Sequence, residues 1–264
     1  MDERKAQARS LFNRLAPDYD VAGPGCFAYF GEQLVQALGI EPGQQVLDVA
    51  CGRGAVLLPA ARRTGPSGRA VGIDLSDEMV SATLVEARGR GLAVEASLMD
   101  AERLDFPDAT FDRVLCGFGI MFFPRLQDAL AEVRRVLKPD GRLGVSTWQV
   151  SQVEDLGAVL AAAGIALPPQ PGWVSQPEQL AGLLTEAGLA DVDVQASNHA
   201  FTYASLDQYW QNARGTGLRM ALDKLDTEQL ERVRATLADR LRPYQSPDGG
   251  VSVPATALLA TANR

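Results

Sequence analysis

One histidine and three well-separated cysteines leave this 264-residue chain with few of the side chains that hold transition metals. No His or Cys pair stands at ligand spacing, so no metal site is expected, and a His-paired catalytic dyad is ruled out anywhere but at His199. Cys26, Cys51 and Cys116 are odd in number, which argues against a disulfide framework and for a reduced, cytoplasmic setting. No Lys/Arg-rich run occurs, and 25 basic residues face 33 acidic ones for a net charge of −8. A nucleic-acid partner therefore has no electrostatic footprint, and none is expected. The longest uncharged run, Leu156 to Pro177, is broken by Pro168, Pro169, Pro171 and three glycines, so no membrane span is expected. The first residues, MDERKAQARSLF, carry charge from the second position and no apolar stretch of signal-peptide type.

What is present is enough for one sizeable core: 46% of residues are hydrophobic and 22% charged. Short β-branched or apolar runs alternate with longer helical patterns, the mark of a parallel sheet covered by helices. Strands are expected at Gln45–Val49, Ala70–Asp74, Ala93–Ser97, Arg113–Gly117 and Arg142–Trp148. Leu126, Leu130, Val133 and Leu137 recur at helical spacing, and Pro139-Asp140-Gly141 then stops the helix. The helix after the first strand contains Pro59 and must begin late or kink there. A helix from Pro177 to Gly188 and a sixth strand from Asp191 to Gln195 follow, which places His199 after that strand. Helices then cover Leu206–Gly217 and Asp226–Leu241, the second capped by Asp226 with Leu230, Val233, Leu237 and Leu241 on one stripe. After a Pro247-Asp248-Gly249-Gly250 turn, Val251–Ala262 suits a last strand.

The first strand runs into VLDVACGRG, Val46 to Gly54: an apolar strand, Asp48 near its C-terminal end, then Gly52 and Gly54 in the turn. Glycines there let the backbone approach a ligand, and ligands of open α/β sheets sit at the carboxyl ends of the strands. The second strand ends in GIDLS, where Asp74 can accept from both hydroxyls of a ribose. Asp100 follows the third strand and can take a donor from an adenine amino group, with the Ala101 amide facing a ring nitrogen. Three acids at successive strand ends outline a nucleoside-sized crevice. A dinucleotide would want a third glycine where Leu57 stands, and Asp48 would repel its pyrophosphate. A cofactor with a cationic amino group and a sulfonium fits better, which favours S-adenosylmethionine over the alternative of an NAD-dependent oxidoreductase.

VLDVACGRG, GIDLS, the Asp100-Ala101 pair, FDRVLCGFGIMFF (Phe111 to Phe123) and LKPDGRL (Leu137 to Leu143) together resemble the ordered motifs of class I S-adenosylmethionine-dependent methyltransferases. The nearest flavour is the ubiquinone/menaquinone-biosynthesis-like (methyltransferase type 11) small-molecule group, and Arg14-Leu15-Ala16-Pro17-Asp18-Tyr19-Asp20 is similar to that group's N-terminal segment. The match covers roughly the first 150 residues. The resemblance implies an α/β, doubly wound, mostly parallel seven-stranded sheet with its last strand antiparallel. It implies an enzyme acting on a small molecule, by analogy in secondary metabolism; a monomer or homodimer is expected, and the high Ala, Gly and Arg content suggests a GC-rich bacterial source. On this reading residues 1–40 form an N-terminal helical cap, 41–150 the Rossmann-like cofactor core, 151–202 the rest of the sheet, 203–247 a helical lid over the acceptor between strands six and seven, and 248–264 the last strand. By position, Asp48, Ala50, Gly52 and Gly54 would line the methionine part and Asp74 the ribose. Asp100 and Ala101 would meet the adenine, with Leu75 and Met79 beside it, and Cys116 and Gly117 would pass under the sulfonium. Arg53 departs from the small residue common there; it would meet an acceptor, the cofactor carboxylate or solvent.

For the acceptor side, Tyr19, Phe118, Met121, Phe122, Tyr203, Tyr209 and Trp210 are the candidate wall, implying a hydrophobic or aromatic small molecule. His199 and Tyr19 are the candidate catalytic groups, each with a plainer reading as an ordinary loop histidine and an aromatic hinge. The expected reaction is in-line methyl transfer with S-adenosylhomocysteine as product. The rival is a protein that binds the same cofactor while steering a rearrangement or cyclisation.

Overall fold

The computed structural model describes residues 2–149, 156–165 and 174–264. Two helices, α1 (Glu3–Leu15) and α2 (Cys26–Leu38), precede the first strand. Helices and strands then alternate as β1 (Gln45–Val49), α3 (Leu57–Thr64), β2 (Arg69–Asp74), α4 (Asp77–Gly89), β3 (Glu95–Leu98), β4 (Phe111–Gly117), α5 (Leu126–Val136), β5 (Leu137–Trp148), α6 (Leu156–Ala162), α7 (Pro177–Glu186) and β6 (Ala190–Tyr203). Three further helices, α8 (Leu206–Arg214), α9 (Arg219–Leu222) and α10 (Thr227–Leu241), separate β6 from β7 (Val251–Asn263). The seven strands lie in the order β3-β2-β1-β4-β5-β7-β6. β1 to β5 pair in parallel and β7 runs antiparallel to both β5 and β6, the doubly wound sheet that the motifs imply.

Alternation on the central strand divides the core. Val46 packs in a cluster with Phe30, Leu34 and Leu38 of α2, joined by α6, α8 and α10. Leu47 and Val49 join the opposite cluster with Leu130 and Val133 of α5 and Leu180 and Leu184 of α7. Asp48 thus shares the face of Val46, at 1% exposure. The strand order reverses between β1 and β4, and a crevice opens where their C-terminal ends part.

Local chemistry sets the helix ends. Ser76 caps α4 by accepting from the Met79 amide (3.1 Å), and Asp226 with Gln229 forms a capping box on α10. Pro59 sits in the first turn of α3, so that helix begins late and does not kink.

Three expectations are corrected. Leu137 is not the fourth rung of α5: its ψ of 140° opens β5, because a helix continued to Pro139 would lose that amide and clash with the Arg135 carbonyl. The sixth strand does not end at Gln195 but runs to Tyr203, held by β7 along its length, from Ala190 against Asn263 to Tyr203 against Val251. His199 accordingly lies inside β6, opposite Ala255, and not in a loop after it. Its neighbours lack apolar alternation because this edge strand leaves much of itself exposed. Pro168, Pro169 and Pro171 lie outside the described residues.

Candidate active site

The turn after β1 is built on three residues with left-handed backbone: Ala50 (φ +59°), Gly52 (φ +52°) and Gly54 (φ +86°). At Gly52 this conformation favours glycine, and a Cβ placed there would meet nothing within 4 Å, so open space lies above the backbone. The Gly52 amide donates to Asp74 Oδ2 and the Ser76 amide to Asp74 Oδ1, both at 2.9 Å. Those two bonds fix the carboxylate at the head of α4. Burial raises the Asp74 pKa above the usual carboxylate range, and the amide bonds offset this only in part.

Asp48 is stranger. Both its carboxylate oxygens are buried, and no donor among the described residues meets hydrogen-bonding geometry at either. Burial first, and the nearby Asp74 second, push its pKa well above normal, with the Leu57 amide a partial counterweight. An acid left so is costly unless a cation or donor arrives beside it.

A cavity of about 480 Å³ opens on this turn. It brings together Tyr19, Asp48, Ala50, Gly52, Gly54, Asp74, Leu75, Met79, Asp100, Ala101, Gly117, Phe118 and Phe122 from the residues that the sequence singled out. It does not take in Cys116, Met121, His199, Tyr203, Tyr209 or Trp210. The β4 pleat turns Cys116 into the opposite core, where burial raises its thiol pKa. Met121 and Trp210 pack partly buried against the α2-side cluster, and Tyr203 and Tyr209 are core members of it. His199 is exposed and stacks on Tyr29 with ring centroids 4.0 Å apart.

Residues that sequence reasoning passed over complete the cavity. Lys5 of α1 is 5% exposed, and its ammonium donates to Asp100 Oδ2 (2.7 Å) and to Glu102. Burial alone would lower the Lys5 pKa, but the two carboxylates outweigh it and hold the pKa high. Glu102 also accepts from the Arg125 amide and side chain (2.8 and 2.9 Å), so the Asp100–Glu102 pair anchors α1 over the cavity. Arg53 lines the cavity with its head group held at the edge: it donates to the Pro17 carbonyl (3.0 Å), to that of Ala16, and to Glu86 (3.1 Å). It therefore ties the segment after α1 to α4.

That segment carries the roof. Tyr19 stacks on Phe27 (5.1 Å), Phe27 meets Phe118 edge-on (5.2 Å), and Phe12 meets Phe122 (4.9 Å). Phe118 adopts φ +55° just past β4, a strained conformation that turns its ring into this row. Asp20 follows Tyr19 at φ +56° and also lines the cavity. The helices inserted before β7 brace this side of the site: Gln208 of α8 donates to the Ala22 carbonyl (2.9 Å), Arg14 of α1 pairs with Asp223 (3.3 Å), and Gly217 lies against Phe122.

An open α/β sheet, a glycine-hinged turn and acids at three successive strand ends define a Rossmann-like nucleoside-binding protein of the methyltransferase type. Residues 46–141 match the family described as a methyltransferase domain. Nocamycin O-methyltransferase of Saccharothrix syringae is 44% identical over 137 residues, 52% of this chain and 49% of that protein. An uncharacterized protein of Mycobacterium tuberculosis is 34% identical over 189 residues, 66% of this chain and 67% of that one. In fold, the chain is similar to the solved structure of a Bacillus subtilis protein, YcgJ, with a TM-score of 0.64 at 20% identity, covering 89% of this chain and 98% of that one. The chain belongs to the class I S-adenosylmethionine-dependent methyltransferases. It spans about half to two thirds of the length of the first curated relatives it matches.

Proposed function

We propose that this protein transfers the methyl group of S-adenosylmethionine to a small hydrophobic or aromatic acceptor. The single observation that carries the reading is Asp48, a buried carboxylate that no donor among the described residues meets in hydrogen-bonding geometry, beside an open glycine turn and facing the same cavity as Asp74. A cationic amino acid moiety supplies the charge that these acids lack, and a ribose supplies the hydroxyls that the remaining lone pairs of Asp74 can accept. Ala101 and Met79, nearly buried, offer an apolar slot for a flat base next to Asp100. The bound cofactor supplies an electrophilic methyl on a sulfonium, with no need of a metal.

The chain's own part is alignment and exclusion of water. Phe12, Tyr19, Phe27, Phe118 and Phe122 make the wall opposite the acids apolar and aromatic, which suits a flat hydrophobic acceptor. Relatives named nocamycin O-methyltransferase and aklanonic acid methyltransferase support a small-molecule acceptor. No helix among the described residues is long and apolar enough to cross a membrane. With the net charge of −8, this supports a small-molecule partner in the cytoplasm and no nucleic acid; a monomer or homodimer completes the reading.

The test is formation of S-adenosylhomocysteine from S-adenosylmethionine in the presence of aromatic acceptors, alongside calorimetric binding of both cofactor forms. Binding with turnover is expected. Binding with rearranged but unmethylated product assigns the cyclisation role instead, and no binding of either form ends the proposal.

A further inference from the structure

Asp20 has no part in the reading above, yet it has the features of a working group. Its Oδ2 accepts from the Phe27 amide (3.2 Å) at the head of α2, while Oδ1 is buried and no donor among the described residues meets it in hydrogen-bonding geometry. Its left-handed backbone is unusual for a residue with a side chain. Capping α2 accounts for one oxygen but neither for the strain nor for the idle second oxygen. The residue lines the cavity within the aromatic row, next to Tyr19, whose ring lies on Phe27. Buried acceptors without partners and strained backbone gather at functional sites.

We propose, resting on the methyl-transfer reading, that Asp20 is the general base for an acceptor with an acidic hydroxyl, a phenol or an enol, held flat between the rings of the roof. Oδ1 takes the hydroxyl proton as the acceptor oxygen bonds to the methyl carbon and the carbon–sulfur bond breaks with its electron pair on sulfur. An ether and a neutral thioether result, and Asp20 is left protonated until it returns the proton to water when the site opens.

The surroundings suit the task. Burial raises the Asp20 pKa to about 6, opposed by the amides of Phe27 and Cys26 and then by the Arg53 guanidinium. Tyr19 on the same segment and the Cys26 thiol at the head of α2 are the adjacent titratable groups, and Asp48 and Asp74 are the like charges on the cavity's other wall. α8 presents Gln208 and Asn212, neither of them titratable, to this segment. A base of that strength is matched to a phenol, whose pKa is about 10, and too weak for a simple alcohol. An alkylamine, protonated near neutrality and so without a free lone pair, would be held in that state by pairing with Asp20.

The experiment compares wild type and Asp20→Asn with 1-naphthol, 1-naphthylmethylamine and cyclohexanol as acceptors. It follows S-adenosylhomocysteine formation against pH, together with calorimetric binding of S-adenosylhomocysteine and of 1-naphthol to the loaded protein. Asparagine keeps an oxygen for the Phe27 amide and loses the proton acceptor. The expected result is methylation of 1-naphthol alone. Wild-type kcat should rise through about pH 6, and the variant's kcat should be at least about 100-fold lower without that limb, at unchanged S-adenosylhomocysteine affinity. If the variant folds poorly, the wild-type acid limb and the acceptor order decide by themselves. Equal kcat in both proteins, a flat wild-type profile, preference for the amine, or no turnover of 1-naphthol by a protein that binds the cofactor overturns the inference. A tenfold loss of S-adenosylhomocysteine affinity in the variant also overturns it, making Asp20 a cofactor ligand. Failure of wild type to bind either cofactor form strikes the underlying methyl-transfer reading instead.

Discussion

Asp48 and Asp74 sit side by side on one cavity and have different tasks because their partners differ. Asp74 already holds two backbone amides and has lone pairs to spare, so in the proposed function it is the rigid acceptor for ligand hydroxyls. Asp48 has no such bonds, and its charge is stabilised only when a cation comes near. Removing the Asp74 carboxylate deletes charge-assisted hydrogen bonds worth about 1.5–3 kcal/mol each, so Asp74→Ala should weaken S-adenosylhomocysteine binding about 100-fold. Isothermal calorimetry on a variant with an unchanged melting point checks this, and an unaltered Kd removes Asp74 from the site. Asp74 and Gly52 were legible in the sequence because their spacing from a strand end is local. Lys5 was not, since its partners Asp100 and Glu102 are 95 and 97 residues away and nothing in its own neighbourhood announces them.

At the level of elements, α1 is an amphipathic helix with an unusual buried ion cluster for its anchor. Leu11, Leu15 and Met79 of α4 form a small apolar contact, and the Lys5 pairs supply the rest. Deleting one member of a buried pair is far more costly than the pair is stabilising. Lys5→Met should therefore destabilise the fold by about 3 kcal/mol, because Arg125 alone is left to balance Glu102. In a urea series, Lys5→Met with Glu102→Gln should recover part of that loss. Strict additivity of the two changes would show that the pair is not coupled. The helices between β6 and β7 have a role that their position in the chain suggested only vaguely. They were expected to present Tyr203, Tyr209 and Trp210 to an acceptor, but Tyr203 and Tyr209 fill the core with Trp210 packed partly buried against it, and α8 instead braces the segment that bears Tyr19 and Asp20. An aromatic side chain reads the same in a sequence whether it faces a cavity or a core.

Over the whole molecule, the acids of the site set a pH dependence of stability with an unusual sign. Asp20, Asp48 and Asp74 are all raised, so the folded state binds more protons than the unfolded state from about pH 4 up to about pH 6, the Asp20 value, and beyond for Asp48. Stability therefore falls as pH rises through that window. Glu95 and Glu132 work the other way: Arg69 and Arg135 hold their pKa values low, so their contribution is lost only at lower pH, as they protonate. The ligand-free protein should thus melt about 2–4 °C higher at pH 5.5 than at pH 7.5, the equivalent of roughly 1 kcal/mol. Saturating S-adenosylmethionine, a cation, should flatten that difference. Scanning calorimetry in both states measures it, and a higher melting point at pH 7.5 without ligand would contradict the burial of these acids.

The sequence by itself determined the first five strands, the glycine turn and the three strand-end acids, because each is a local pattern of periodicity or spacing; the seven-stranded order with an antiparallel last strand came from the family resemblance. It also fixed the capped helix at Asp226 and the final strand. Tertiary structure alone decided which side chains share the cavity. Cys116 and His199 were carried away from it by strand pleat and strand length, while Lys5, Arg53 and Asp20 were brought in by contacts between segments distant in the chain. Local rules act through bonds and neighbours a few residues apart, whereas the proximity of α1, the segment after it and the strand ends exists only once the core has closed.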